Sequence, residues 1–187
     1  MDLLQMKREL SIKGKNGISF LMSGTVVWAI ITVIFILPFS PREKDLIAFY
    51  STGLMFPMAV LFSRLIKADW KAQDNPLGSL GLYLNLAQMM YFPVLFWTIV
   101  KHPTDMVLLF AIITAAHFYP YGWLYNTKAY YFLGPIVALL LFGIGLVSNK
   151  PSWVIPFSMV VALVLMNVFL VADYKKKFSL YLLDGKA

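Results

Sequence analysis

Two sets of polar side chains sit in otherwise apolar runs, at spacings that let each set share a helix face. Asn85 and Gln88 are i, i+3, and Thr114, His117 and Tyr121 are i, i+3, i+7. His117 is the histidine that lies inside an apolar run; the other, His102, lies among polar residues. An imidazole there could donate a hydrogen bond to the polar end of a ligand, or serve as a general base. Tyr119, Tyr121, Tyr125 and Asn126 follow His117 across Pro120 and would frame the mouth of such a site.

These residues need helices to place them, and the composition says which kind. The chain has 187 residues, 60% hydrophobic and only 13% charged, against about 25% charged in soluble domains. Several uncharged stretches approach 20 residues, the helical length that crosses a bilayer core of about 30 Å. They are continuously apolar rather than alternating, which excludes a β-barrel. The expectation is therefore an all-α integral membrane protein, one transmembrane domain over residues 1–187. Spans fall near 20–37, 46–66, 77–100, 106–123, 130–147 and 153–171. Pro57 and Pro93 lie far enough inside their spans to kink them.

Residues 1–16 are basic, with Leu3, Met6 and Leu10 at helical spacing, which reads as a short helix on the membrane surface or as a frayed tail. Residues 38–45 read as a polar turn after the first span, and residues 172–187 as a basic tail after the last. Residues 148–152 should close the fifth span, and Thr104 or Asp105 should cap the fourth. Trp28, in the middle of the first span, should pack inside the bundle.

Six spans put both termini on one side. Lys7, Arg8, Lys13, Lys15, Arg64, Lys67, Lys71, Lys128, Lys175, Lys176, Lys177 and Lys186 fall on that side, and only Arg42, Lys44, Lys101 and Lys150 on the other. Lys and Arg accumulate in cytoplasmic loops, so a multi-pass protein of the cell membrane with both termini cytoplasmic is expected. The net charge of +7 flanks apolar runs, so lipid headgroups rather than nucleic acid are the expected partners. Lys67 and Lys71, with the helix-opening Gly78 and Gly81, could hold a lipid phosphate; the alternative is that these glycines let helices approach.

The acidic residues limit the chemistry. None of them falls inside the expected spans, which counts against ion-coupled transport and against carboxylate-bound metal chemistry. There is no cysteine, hence no thiolate catalysis or cysteine metal site. No metal and no cofactor are expected. Counting rise per residue, Asn85 and His117 each lie roughly 10–14 Å from the inner boundary, on spans joined by a short loop that makes them antiparallel neighbours. Asn85, Gln88 and His117 can therefore meet. They form either an interhelical hydrogen bond, worth about 0.6 kcal/mol, or a polar spot lining a cytoplasm-facing cavity.

The segments 11–20 (SIKGKNGISF), 75–81 (NPLGSLG) and 117–130 (HFYPYGWLYNTKAY) resemble a family of small bacterial six-helix membrane proteins of unknown function. That resemblance implies the six-span fold over most of the chain and brings no substrate, cofactor or catalytic residue. Three functions stay open: binding or transport of a small amphipathic molecule or lipid; a membrane enzyme on a lipid substrate with His117 as its base; and an accessory subunit that pairs with itself or another membrane protein.

Overall fold

Glycines and prolines decide where the rods break. In the computed structural model, which describes residues 2–147, 149 and 151–183, every regular element is helical. Ser148, Lys150, Asp184 and Lys186 lie outside the described residues, so the expected closure of the fifth span there is not described. The helices are α1 (Leu3–Lys13), α2 (Ile18–Ile36), α3 (Pro41–Ser51), α4 (Met55–Leu65), α5 (Gly78–Met89), α6 (Phe92–Lys101), α7 (Met106–His117), α8 (Tyr119–Leu124), α9 (Lys128–Gly145) and α10 (Val154–Leu183). They combine into six rods long and apolar enough to cross a membrane: Lys15–Ile36, Pro41–Leu65, Gly78–Lys101, Met106–Leu124, Lys128–Gly145 and Val154–Leu183.

The six-rod expectation holds, with corrections at the ends. The second rod begins at Pro41, not at residue 46. Ser40 and Glu43 form a capping box, Ser40 Oγ accepting from the Glu43 NH and Glu43 Oε2 from the Ser40 NH; with Pro41 as first residue, this converts the expected turn into helix. The last rod runs unbroken to Leu183, where a basic tail was expected from residue 172. No glycine or proline follows Pro156 before Gly185, so nothing stops it, and at roughly 45 Å it outreaches a bilayer core.

The interior breaks follow the prolines. A 3₁₀ turn at Thr52–Leu54 separates α3 from α4 just before Pro57, α5 ends ahead of Pro93, and α7 ends ahead of Pro120. In each case proline cannot donate to the carbonyl four residues back, and the preceding turn loosens. Pro135 is carried inside a continuous α9. Asp105 does stand at the cap position of α7, but its side chain makes no capping bond.

The rod containing α2 is central: 61% of its most apolar window is buried, against 17% for the rod of α5 and α6. It packs chiefly against α10 and α4, while α7 packs against α9. Trp28 is buried as expected and stacks on Phe110, ring centroids 5.0 Å apart. Gly134 lets α9 reach the α7–α8 break, since a Cβ there would lie 3.1 Å from the Ala115 carbonyl oxygen. Large apolar side chains such as Tyr83, Met90, Leu139 and Val168 face outward, the arrangement suited to acyl chains rather than water.

One end of the bundle gathers α1 and the loops near residues 66–77 and 125–127. There Lys15 Nζ donates to the Ile66 carbonyl, the Asp69 NH to Lys13 O, and Asn75 Nδ2 to Met6 O at 2.8 Å. At the opposite end Lys44 Nζ and Ser152 Oγ both donate to the Phe35 carbonyl. Of the two readings of residues 1–16, surface helix or frayed tail, a helix is present as α1, opened by an Asp2–Gln5 capping box, with Leu10, Ser11 and Ile12 buried and Leu3 and Leu4 exposed.

Candidate functional site

The polar faces read from the sequence come together where α5 meets α7 and α8. Gln88 Nε2 donates to Thr114 Oγ1 at 3.2 Å, and Tyr121 Oη donates to the Gly81 carbonyl at 3.2 Å. Residue 88 pairs with 114 and 81 with 121, one antiparallel register that sets Asn85 level with His117. Asn85 makes a different bond from the one expected: its Nδ2 returns to the Gly81 carbonyl at 3.1 Å, one turn back on its own helix. That bond and the Tyr121 bond share a single acceptor. Thr114 Oγ1, in turn, donates to Phe110 O at 2.8 Å.

His117 stands between these two clasps. Its ring packs edge-on against Tyr121, centroids 5.3 Å apart, and its Nε2 is sealed from solvent with no hydrogen-bond partner among the described residues. A buried polar nitrogen left unpaired is costly, so the junction has one vacant hydrogen-bonding position. α5, which covers it, has no buried residue. Its two hydrogen bonds to the neighbouring rod are worth about 0.6 kcal/mol each and at most 1–2, so polar contacts latch α5 weakly and the half-buried Leu80 and Leu84 supply its packing against the core.

Tyr121, Tyr125 and Tyr130 form a triangular cluster with mutual centroid separations of 6.1, 5.8 and 6.2 Å. Tyr125 lies in the turn between rods, and burial pushes its phenol up to about 12, so it stays a neutral hydroxyl. Tyr119 is exposed and packs on Tyr131 instead, outside this cluster. Asn126, at φ 48, lines a hollow of about 620 Å³ between the start of α9 and the end of α10 rather than the junction.

The lysine and glycine cradle expected for a lipid phosphate is not assembled as a set. The Gly78 NH already donates to the Asn75 carbonyl at 2.8 Å, and Lys71 Nζ lies over the Trp70 ring. Gly78 serves a close approach: a Cβ there would fall 2.5 Å from the Ala72 carbonyl oxygen. Gly81 meets only Leu124, at 3.4 Å. Gly78→Ala should therefore cost about 1–3 kcal/mol, read as a lowered thermal midpoint of the purified protein, with Gly81→Ala nearly neutral.

The most connected polar residue was not read from the sequence at all. Asn16 is fully buried with φ 54. Its Nδ2 donates to Asp173 Oδ2 at 3.0 Å and Leu170 O at 3.3 Å, and its Oδ1 accepts from Ser11 Oγ and from Lys177 Nζ. Lys177 Nζ is also 2.7 Å from Asp173 Oδ2 and 2.9 Å from Tyr125 O. Tyr130 Oη donates to the Asn16 carbonyl at 2.9 Å, which ties the tyrosine cluster to this network. The Asn16-Gly17 turn signal and the i, i+4 spacing of Asp173 and Lys177 were the available hints.

A protein-family model described as a family of unknown function, DUF7010, matches residues 3–173. The chain belongs to the DUF7010 family. No curated protein and no solved structure matches it. Membership thus agrees with the resemblance read from the three segments and adds no substrate. In this DUF7010 chain the matched region takes in the α5–α7–α8 junction, the tyrosine cluster and Asn16, and stops short of Lys177. No cluster of three or more His, Cys, Asp or Glu side chains suited to a metal ion occurs among the described residues.

Proposed function

We propose that the protein binds the polar end of a small amphipathic molecule or lipid at the α5–α7–α8 junction, with His117 as the hydrogen-bonding group, and holds it there or passes it through the membrane. The observation that carries this reading is the unpaired, sealed Nε2 of His117 beneath a helix that two weak bonds retain. Swinging α5 aside uncovers His117, Gln88 and Thr114 together, and a headgroup with a hydrogen-bonding oxygen fills the vacancy. Tyr121 loses the Gly81 carbonyl in the same movement and becomes free to turn to the ligand, while the Asn85 bond to Gly81, internal to α5, is untouched. The binding face opens toward the acyl chains, where the tail of such a molecule already lies. The basic excess at the end holding α1 supports a cytoplasmic position for both termini.

Mass spectrometry of molecules retained through purification in mild detergent tests the reading. Wild-type protein should carry one defined amphipathic species. His117→Ala should lose it by about tenfold or more, the 1.4 kcal/mol expected of one buried hydrogen bond, while the thermal midpoint stays near that of wild type. Equal retention by the variant would contradict the proposal.

A further inference from the structure

Asp45 was expected in a polar turn, and none of the acidic residues was expected inside a span. The structure corrects this: helix begins at Pro41, so Asp45 lies in the second membrane-spanning rod, just over one turn from its start. It is 0% exposed, and neither carboxyl oxygen has a hydrogen-bond partner among the described residues. A charged group in a membrane rod, without water or partner, is a functional site by default.

Among the described residues, the surrounding charges do not neutralise it. On its own helix Arg42 donates to the Val100 carbonyl, Glu43 caps Ser40, and Lys44 donates to the Phe35 carbonyl. α2, packed against it, carries no charged residue. α6 ends in Lys101, followed by His102, and the charge that bears on Asp45 is Asp105, of the same sign. A hollow of about 330 Å³ lies at this end of the bundle, lined by Pro41, Lys44, Thr104 and Asp105 among others. Pro41 is one helical turn before Asp45, and Lys44 is its neighbour.

We propose that Asp45 is a proton-binding site, loaded through this hollow from the side of the membrane opposite the termini. A hydronium ion in the hollow gives up one proton: an O–H bond breaks, a water molecule remains, and an O–H bond forms on the Asp45 carboxylate. The rod gains one positive charge and its buried anion disappears. Release reverses the same step, which links the state of the outer end of α3 to proton availability on that side.

Infrared difference spectra of the full-length protein in lipid bilayers, mildly acidic minus alkaline, test this. Wild type should show the carbonyl stretch of a protonated carboxylic acid, shifted in D₂O, and Asp45→Asn should lose that band. The wild-type measurement alone suffices to refute the idea, whatever the variant's folding. No acid band in wild type would overturn it, as would a band that survives Asp45→Asn. Removal of the band by sodium chloride, but not by choline chloride, at constant pH would overturn it too and mark a metal-cation site instead.

Discussion

Asn16→Ala should be the most damaging single substitution in the protein, at about 2–5 kcal/mol. Two losses combine. The side chain's partners Ser11, Asp173, Lys177 and the Leu170 carbonyl lose their contacts with it in a buried setting, and a buried group left unsatisfied costs about 1–3 kcal/mol. Alanine at φ 54 adds about 1–2 kcal/mol of left-handed backbone strain, which asparagine tolerates. Against a total of about 5–15 kcal/mol this is close to unfolding. Thermal unfolding of the detergent-solubilised protein reads it. Asn16→Gly should recover the backbone share alone, so a glycine variant as poor as the alanine one would show that strain contributes nothing.

Lys177→Met should come next, at about 1.5–3 kcal/mol, the range for a hydrogen bond to a charged group. Lys177 Nζ bridges Asp173, Ser11 and the Tyr125 carbonyl, so methionine fills the volume but leaves Asp173 without its cation. Adding Asp173→Asn removes that stranded charge and should restore part of the loss. The double-mutant cycle over the two positions should therefore give a coupling within the 0.5–3 kcal/mol usual for paired residues. Additivity would mean that the pair, only 2.7 Å apart, acts as two independent surface charges.

The parts of the fold legible in the sequence are those set by continuous hydrophobicity. A rod such as α2 needs only uncharged length, and Trp28 within it could only be interior or misplaced. The ends were harder, because a capping box outweighs local polarity. Residues 41–45 carry four charges in five positions, yet Ser40, Pro41 and Glu43 make them helix, and that one shift carries Asp45 into the bundle. The α5–α7 junction was legible through face arithmetic, since i, i+3 spacing survives the proline breaks. Which partner each side chain takes was not legible: Asn85 satisfies itself on Gly81, a bond within one turn that no reading of facing helices suggests. Asn16 escaped notice because its five contacting residues span the chain from Ser11 to Lys177, and only folding brings them together.

The central claim concerns a single ring nitrogen, and the chain's two histidines make it directly observable. Nitrogen-15 resonances of histidine-labelled protein, stripped of bound lipid and then given back its own membrane extract, report on His117 with His102 as an internal control. The account predicts that the His117 Nε2 signal moves to a hydrogen-bonded position while His102 stays put, and that Gln88→Ala, which loosens α5, changes how much extract is needed. A His117 signal that is unaltered by extract and identical in His117-competent and α5-loosened protein would contradict it.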